Sequence, residues 1–124
     1  MVSPAMFERF VLPHLAYMTE RLDFSRYHLD GTCQMRFLDL LRTLPRLSGI
    51  QWNPEPGAGS PLQWLDALRA IRRHGFCLTV GCGSAQEATE LTRALGPDGL
   101  LLTLPRFKTE GEAREAIRAV ERCA

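Results

Sequence analysis

The feature that most restricts this chain is a recurring pair, a short apolar or alternating segment followed by a helical stripe, repeated four times at intervals of roughly 25 residues. Ser25 to Asp30 alternates Tyr27 and Leu29 with polar residues and ends at Gly31, which reads as a first strand. Met35, Phe37, Leu38, Leu41 and Leu44 then make a helical stripe that Pro45 stops. Ser48 to Trp52 reads as a second strand, Phe76 to Val80 as an almost continuously apolar third, and Leu100 to Leu104 as a fourth. Ser60-Pro61-Leu62-Gln63, Ser84 to Glu87 and Thr109 to Glu112 each have the spacing of a capping box: the hydroxyl accepts from the amide three residues on, and that residue's side chain reaches back. The first box opens a helix that runs to Gly75. The second directs Ala88, Leu91 and Leu95 inward and ends at Gly96-Pro97, and the third carries Ala113, Ala116, Ile117 and Val120.

One more helix precedes these units. Ser3 caps it, Pro4 takes its first position, and Phe7, Phe10, Val11, Leu15, Met18 and Leu22 recur at helical spacing, with a kink expected at Pro13. The chain is therefore expected to be a single α/β domain over residues 1–124, one helix and then four consecutive β/α units, the order that yields parallel strands. Two architectures use that order. An open doubly wound sheet is complete at this length, whereas a closed (β/α)8 barrel needs eight strands and about 250 residues. Length alone favours the open sheet.

Composition removes several classes of function. A chain of 124 residues can bury roughly two thirds of its unfolded surface, and 45% apolar with 23% charged residues is far from a disordered composition. Fifteen basic and 14 acidic residues leave a net charge of +1, so no global field draws nucleic acid or an anionic membrane. Apolar runs such as Gly99 to Leu104 fall far short of the ~20 residues of a membrane helix. Met1 to Phe10 places Glu8 and Arg9 before any sustained apolar run, unlike a secretory signal, so a soluble cytoplasmic protein is expected. Cys33, Cys77, Cys82 and Cys123 form no CxxC pair and read as free thiols, with neither a disulfide framework nor the paired clusters of structural zinc.

Several segments carry a resemblance that covers nearly the whole chain. The run Ser3-Pro4-Ala5-Met6-Phe7-Glu8-Arg9-Phe10-Val11-Leu12-Pro13 resembles the helix-opening segment of the uroporphyrinogen decarboxylase superfamily, which includes cobamide-dependent methyltransferases. Tyr27-His28-Leu29-Asp30-Gly31 resembles the fifth barrel strand of decarboxylase-like members, and Ser48-Gly49-Ile50-Gln51-Trp52 is similar to the sixth. Leu78 to Gly83 and Leu100 to Pro105 then correspond to the seventh and eighth. The resemblance implies the C-terminal half of a TIM-type barrel, without strands one to four, where the family places its substrate-gripping arginines and acidic catalytic residue. A parent of this kind decarboxylates a porphyrinogen, a lyase reaction, or transfers a methyl group through a corrinoid, and the half alone is expected to be inactive.

Candidate site residues gather near strand ends. His28 and Asp30, two apart on a strand, point to the same side and offer an imidazole beside a carboxylate for proton transfer; the competing reading is a half-buried histidine and a loop cap. Zinc-binding methyltransferases of the family carry His-x-Cys-Gly here, where this chain has His28-Leu29-Asp30-Gly31, and another cysteine where this chain has Leu104-Pro105-Arg106. No cofactor is required by the resemblance, although His28 and Asp30 with Cys82 or Cys33 are zinc-capable donors. Gln51 and Trp52 offer an amide and a stacking ring for a planar ligand, or else a solvated amide and a packed indole. Gly81-Cys82-Gly83 leads into a capped helix, so its amides suit a phosphate or carboxylate, or simply a tight turn, and Cys82 there is a candidate for a lowered pKa. Asn53 to Gly59 is the candidate lid, and Arg72, Arg73 and His74 read as a solvated helix terminus. As partners, the open edges of four strands call for a second copy or the absent N-terminal half-barrel, besides a small-molecule ligand.

Overall fold

Four strands, β1 (Ser25–Asp30), β2 (Leu47–Asn53), β3 (Cys77–Gly81) and β4 (Leu100–Thr103), lie side by side in the order in which the chain makes them, every neighbouring pair parallel. The structure, a computed structural model, describes residues 2–124. Before the sheet come α1 (Pro4–Met6), a π-helical turn (Phe7–Val11) and α2 (Leu12–Thr19). A 3-10 turn (Thr32–Phe37) leads into α3 (Leu38–Arg42), and a second (Pro61–Trp64) into α4 (Leu65–Arg73); α5 (Ala85–Leu95) and α6 (Glu110–Glu121) follow β3 and β4.

Strand alternation decides which face is covered. Leu29, Ile50, Trp52, Leu78 and Val80 are buried in one core with Leu41, Leu68, Ile71 and Leu91 from the helices. The residues between them, including Arg26, His28, Asp30, Gln51 and Leu101, stay outside that core on the opposite face. All helices thus pack on one side. An open doubly wound sheet needs a reversal of strand order to place helices on both faces, and the order β1-β2-β3-β4 has none. The arrangement is α/β with one helical layer, as in half of a TIM-type barrel, and the four strands do not close on themselves.

Most local expectations hold, and four are corrected. The N-terminal helix resolves Pro13 with the π turn just ahead of it: the Leu12 amide bonds the Phe7 carbonyl, and the extra residue shifts the register before the proline. That shift points Phe7, Val11, Leu15 and Thr19 inward, while Phe10, Met18 and Leu22, expected on the same stripe, are exposed. Phe7 stacks on Phe37 with ring centroids 4.2 Å apart. Ile117 of the last stripe is likewise 48% exposed. The Ser60 box is replaced by a 3-10 turn, in which the hydroxyl accepts from the Leu62 amide at 3.2 Å and donates to the Glu87 carboxylate, while the Gln63 side chain lies against Gly59. Finally, Arg72 is not fully solvated, since its Nη1 is buried beside Gly99, and His74 bridges the Ala70 carbonyl and Asp39 at 2.8 and 2.9 Å.

The other two boxes form with a longer reach. Ser84 accepts from the Glu87 amide at 3.1 Å and Thr109 from the Glu112 amide at 3.2 Å, but each glutamate returns to the residue before the cap, Gly83 at 2.6 Å and Lys108 at 3.0 Å. Gly96, at φ 76°, ends α5 as expected, a conformation glycine adopts without strain. Ile50 sits at 0% exposure in the centre of the covered face, so Ile50→Ala should lower unfolding free energy by about 2–5 kcal/mol. Urea denaturation checks this, and a loss below ~1 kcal/mol would show that the sheet does not pack as described.

Candidate functional site

Parallel register arranges the uncovered face in rows. His28 pairs with Gln51, Gln51 with Thr79, and Thr79 with Leu101; one step nearer the strand C-termini, Asp30 pairs with Asn53 and Gly81 with Thr103. The last row is thus polar or bare backbone across all four strands. Asn53 donates to Asp30 Oδ1 at 2.9 Å, and Arg26, in the row below His28, donates to the buried Thr79 hydroxyl at 3.1 Å. His28 Nε2 lies 3.9 Å from Asp30 Oδ1 with side chains 52% and 70% exposed, so this pair is an open contact and not a hydrogen bond. Asp30 is positioned by Asn53 instead.

Beside this row a cavity of about 220 Å³ opens between Gln51, Asn53, Thr79, Gly81 and Thr103, bounded by Trp52 and by Pro54, Gly59 and Pro61 of the following loop. Gln51 and Trp52 are separated by strand alternation as expected. Gln51 is half-buried on the open face, whereas Trp52 is 3% exposed and packs against Trp64 at 5.9 Å between centroids, tilted 49°. Trp52 Nε1 is buried and has no hydrogen-bond partner among the described residues. A buried indole N–H without an acceptor is costly.

The loop after β2 is tethered rather than free. Glu55 accepts from the Thr32 amide and hydroxyl at 2.9 and 2.7 Å, and Trp64 Nε1 donates to the Ala58 carbonyl at 2.9 Å. These contacts hold residues 53–59, the candidate lid, to the turn at Thr32 and to Trp64. The Thr32 hydroxyl above all, with nearby backbone amides, holds the Glu55 carboxyl below its ordinary pKa. A lowered carboxyl pKa means the tether is intact above the ordinary carboxylate range and is lost as pH falls through the lowered value. Amide exchange at Thr32 should therefore accelerate on acidification in the native chain and be already fast and pH-insensitive, after correction for intrinsic rates, in Glu55→Gln; matching profiles for the two proteins would remove the tether.

Gly81-Cys82-Gly83 does not offer an anion cradle. The Cys82 amide bonds the Thr103 carbonyl at 2.8 Å and the Gly83 amide bonds Glu87, so an internal carboxylate already occupies the start of α5. The expected lowering of the Cys82 pKa is reversed: the thiol is pushed up to about 11 by burial first and by the Glu87 charge second. Cys82 should alkylate with iodoacetamide at pH 8 far more slowly than the exposed Cys33 and Cys77, as followed by peptide mass spectrometry. Equal rates would contradict the buried placement.

Among the described residues no three His, Cys, Asp or Glu side chains gather at metal-binding range, and His28, Asp30 and Cys82 are not brought together. No helix among them is long and apolar enough to cross a membrane. Sequence reasoning missed Arg26, Asn53, Thr79 and Thr103. Counting back by two from His28 reaches Arg26; Asn53 fell just past the assigned strand end, and the two threonines sit inside apolar runs that read as core. Comparison with family models, curated proteins and solved structures found no match.

Proposed function

We propose that this chain is the C-terminal half of a uroporphyrinogen-decarboxylase-like (β/α)8 barrel, carrying half of a small-molecule site and inactive by itself. The observation that carries the reading is the concentration of His28, Asp30, Gln51, Asn53 and Thr103 on the one uncovered face, toward the C-terminal ends of parallel strands. Barrel enzymes of this class build their active sites at that end. The order of the segments that resemble the fifth to eighth strands supports the same reading.

Roles follow from the chemistry of each group. His28 is the proton-transfer residue, its imidazole exposed on the uncovered face. Asp30, held by Asn53, supplies a fixed carboxylate, and Gln51 presents amide donor and acceptor groups to a polar ligand edge. Decarboxylation of a porphyrinogen suits this set better than zinc-assisted methyl transfer, because Asp30 and the Leu104-Pro105-Arg106 end replace the thiolates that the latter uses. The arginines and acidic residue that the resemblance assigns to the first four strands would complete the reaction from the other half.

A cavity of about 220 Å³ is small beside the ~300–1,000 Å³ of complete ligand pockets, consistent with one wall of a larger site. Titration of the labelled chain with uroporphyrin, a redox-stable stand-in for a porphyrinogen, should shift amide signals of β1, β2 and β4 at their C-terminal ends, with affinity no tighter than about 1 mM. Methylcobalamin should leave them unmoved. Shifts spread over the helical layer, or none with either compound, would end the reading.

A further inference from the structure

The uncovered face carries a second cavity toward the other ends of the strands. It measures about 480 Å³, and Phe24, Arg26, Ser48, Gly49, Thr79 and Leu101 stand in its wall. That volume falls within the ~300–1,000 Å³ of small-molecule pockets. Arg26 is the one charged residue that lines it, and the cavity of about 220 Å³ described above shares only Thr79 with it.

Two features of the sheet shape this wall. Register slips by one residue between Ser25, which faces Leu47, and Arg26, which faces Gly49, so Ser48 is left over as a bulge. Strict alternation would put Leu47 on the open face with Gly49 and Gln51; with the bulge, Leu47 stays in the core and Ser48 lines the cavity. The second feature is the reach of Arg26 across β2 to the Thr79 hydroxyl of β3, over two strand spacings of ~4.8 Å. Gly49, beside Arg26 in the register, puts no side chain in that path.

Both polar groups keep donors in hand. Arg26 pairs with no carboxylate among the described residues, and its side chain makes one hydrogen bond there, to a neutral hydroxyl, out of five N–H donors. Ser48 Oγ accepts from the Ser25 amide at 3.3 Å, and its own hydrogen is given to no protein acceptor among the described residues. Around them the wall is apolar, with Phe24 and Leu101 87% and 55% exposed.

We infer that this cavity binds a small organic monocarboxylate with an apolar ring or chain: Arg26 and the Ser48 hydroxyl take the carboxylate, and Phe24 and Leu101 cover the apolar body. One guanidinium matches one carboxylate both in charge and in its two-pronged donor geometry. A phosphate dianion would keep a negative charge uncompensated, since no second cation lines the cavity. The site is complete within this chain and does not rest on the half-barrel reading.

Titration of the labelled full chain with 3-phenylpropionate, followed by NMR of backbone amides and arginine side-chain N–H groups, tests the inference. Shifts should concentrate at Arg26, Ser48, Gly49, Thr79 and Leu101, with a Kd of about 1 mM. The uncharged 3-phenylpropanol should bind the native chain about 10-fold more weakly, and Arg26→Gln should weaken 3-phenylpropionate by about the same factor with its melting transition kept. Equal binding of acid and alcohol, unchanged affinity in Arg26→Gln, shifts confined to the strand ends around Asn53 and Thr103, or no shifts at about tenfold that concentration would each overturn it. Uroporphyrin reads the opposite strand ends, so its titration succeeds or fails separately from this one.

Discussion

One-sided burial of a parallel sheet is the constraint on which the rest of this structure depends. Parallel sheets are ordinarily covered on both faces, because their strands reach one another only through crossovers that carry helices. Here strand order never reverses, so all the crossovers deliver their helices to the same side. The alternation that seals Leu29, Ile50, Leu78 and Val80 under those helices also turns His28, Gln51 and Leu101 to the open side. Core and candidate site are two faces of one packing decision, and a one-residue slip of any strand would exchange them.

Around that sheet, carboxylates act as fasteners more than as reagents. The Glu87 carboxylate accepts from the Gly83 amide and from the Ser60 hydroxyl, joining the loop before α4 to the start of α5. A carboxylate that makes both contacts fills the place where an external anion would sit. Glu55 plays a similar part between the loop after β2 and the turn at Thr32. On the uncovered face near the strand ends stand His28 and Asp30, the latter held by Asn53.

Much of the fold was legible in the sequence because its signals are local. Period-two alternation, proline stops and hydroxyl caps placed all four strands within one or two residues, and Ser84, Thr109 and Gly96 act as their spacing suggests. What escaped needed information from a distance. The open sheet and the half-barrel differ in strand order, which no window of residues encodes. The Ser60 hydroxyl left its expected partner for Glu87, 27 residues away. The site was legible in part: His28, Asp30 and Gln51 share a face as their parity requires, but Asn53 as the partner of Asp30 depended on register between strands. Cys82 was misread because a helix start lowers a thiol pKa only when the thiol meets the dipole in solvent, and here burial and Glu87 act the other way.

The sheet has free edges at β1 and β4, with Phe24 and Leu101 exposed beside them and one face uncovered by helices. A segment that paired with β1 and β4 would cover Phe24 and Leu101 and, by completing the ring, place new side chains opposite His28 and Gln51. Closure and ligand binding would then be linked, since a ligand held by both halves stabilises the closed form by RT ln(1 + [L]/Kd) and the closed form binds it more tightly in return. On the half-barrel proposal the polar row at the strand ends would then belong to the same closing surface as Phe24 and Leu101, and His28 and Gln51 would act against groups supplied from across it.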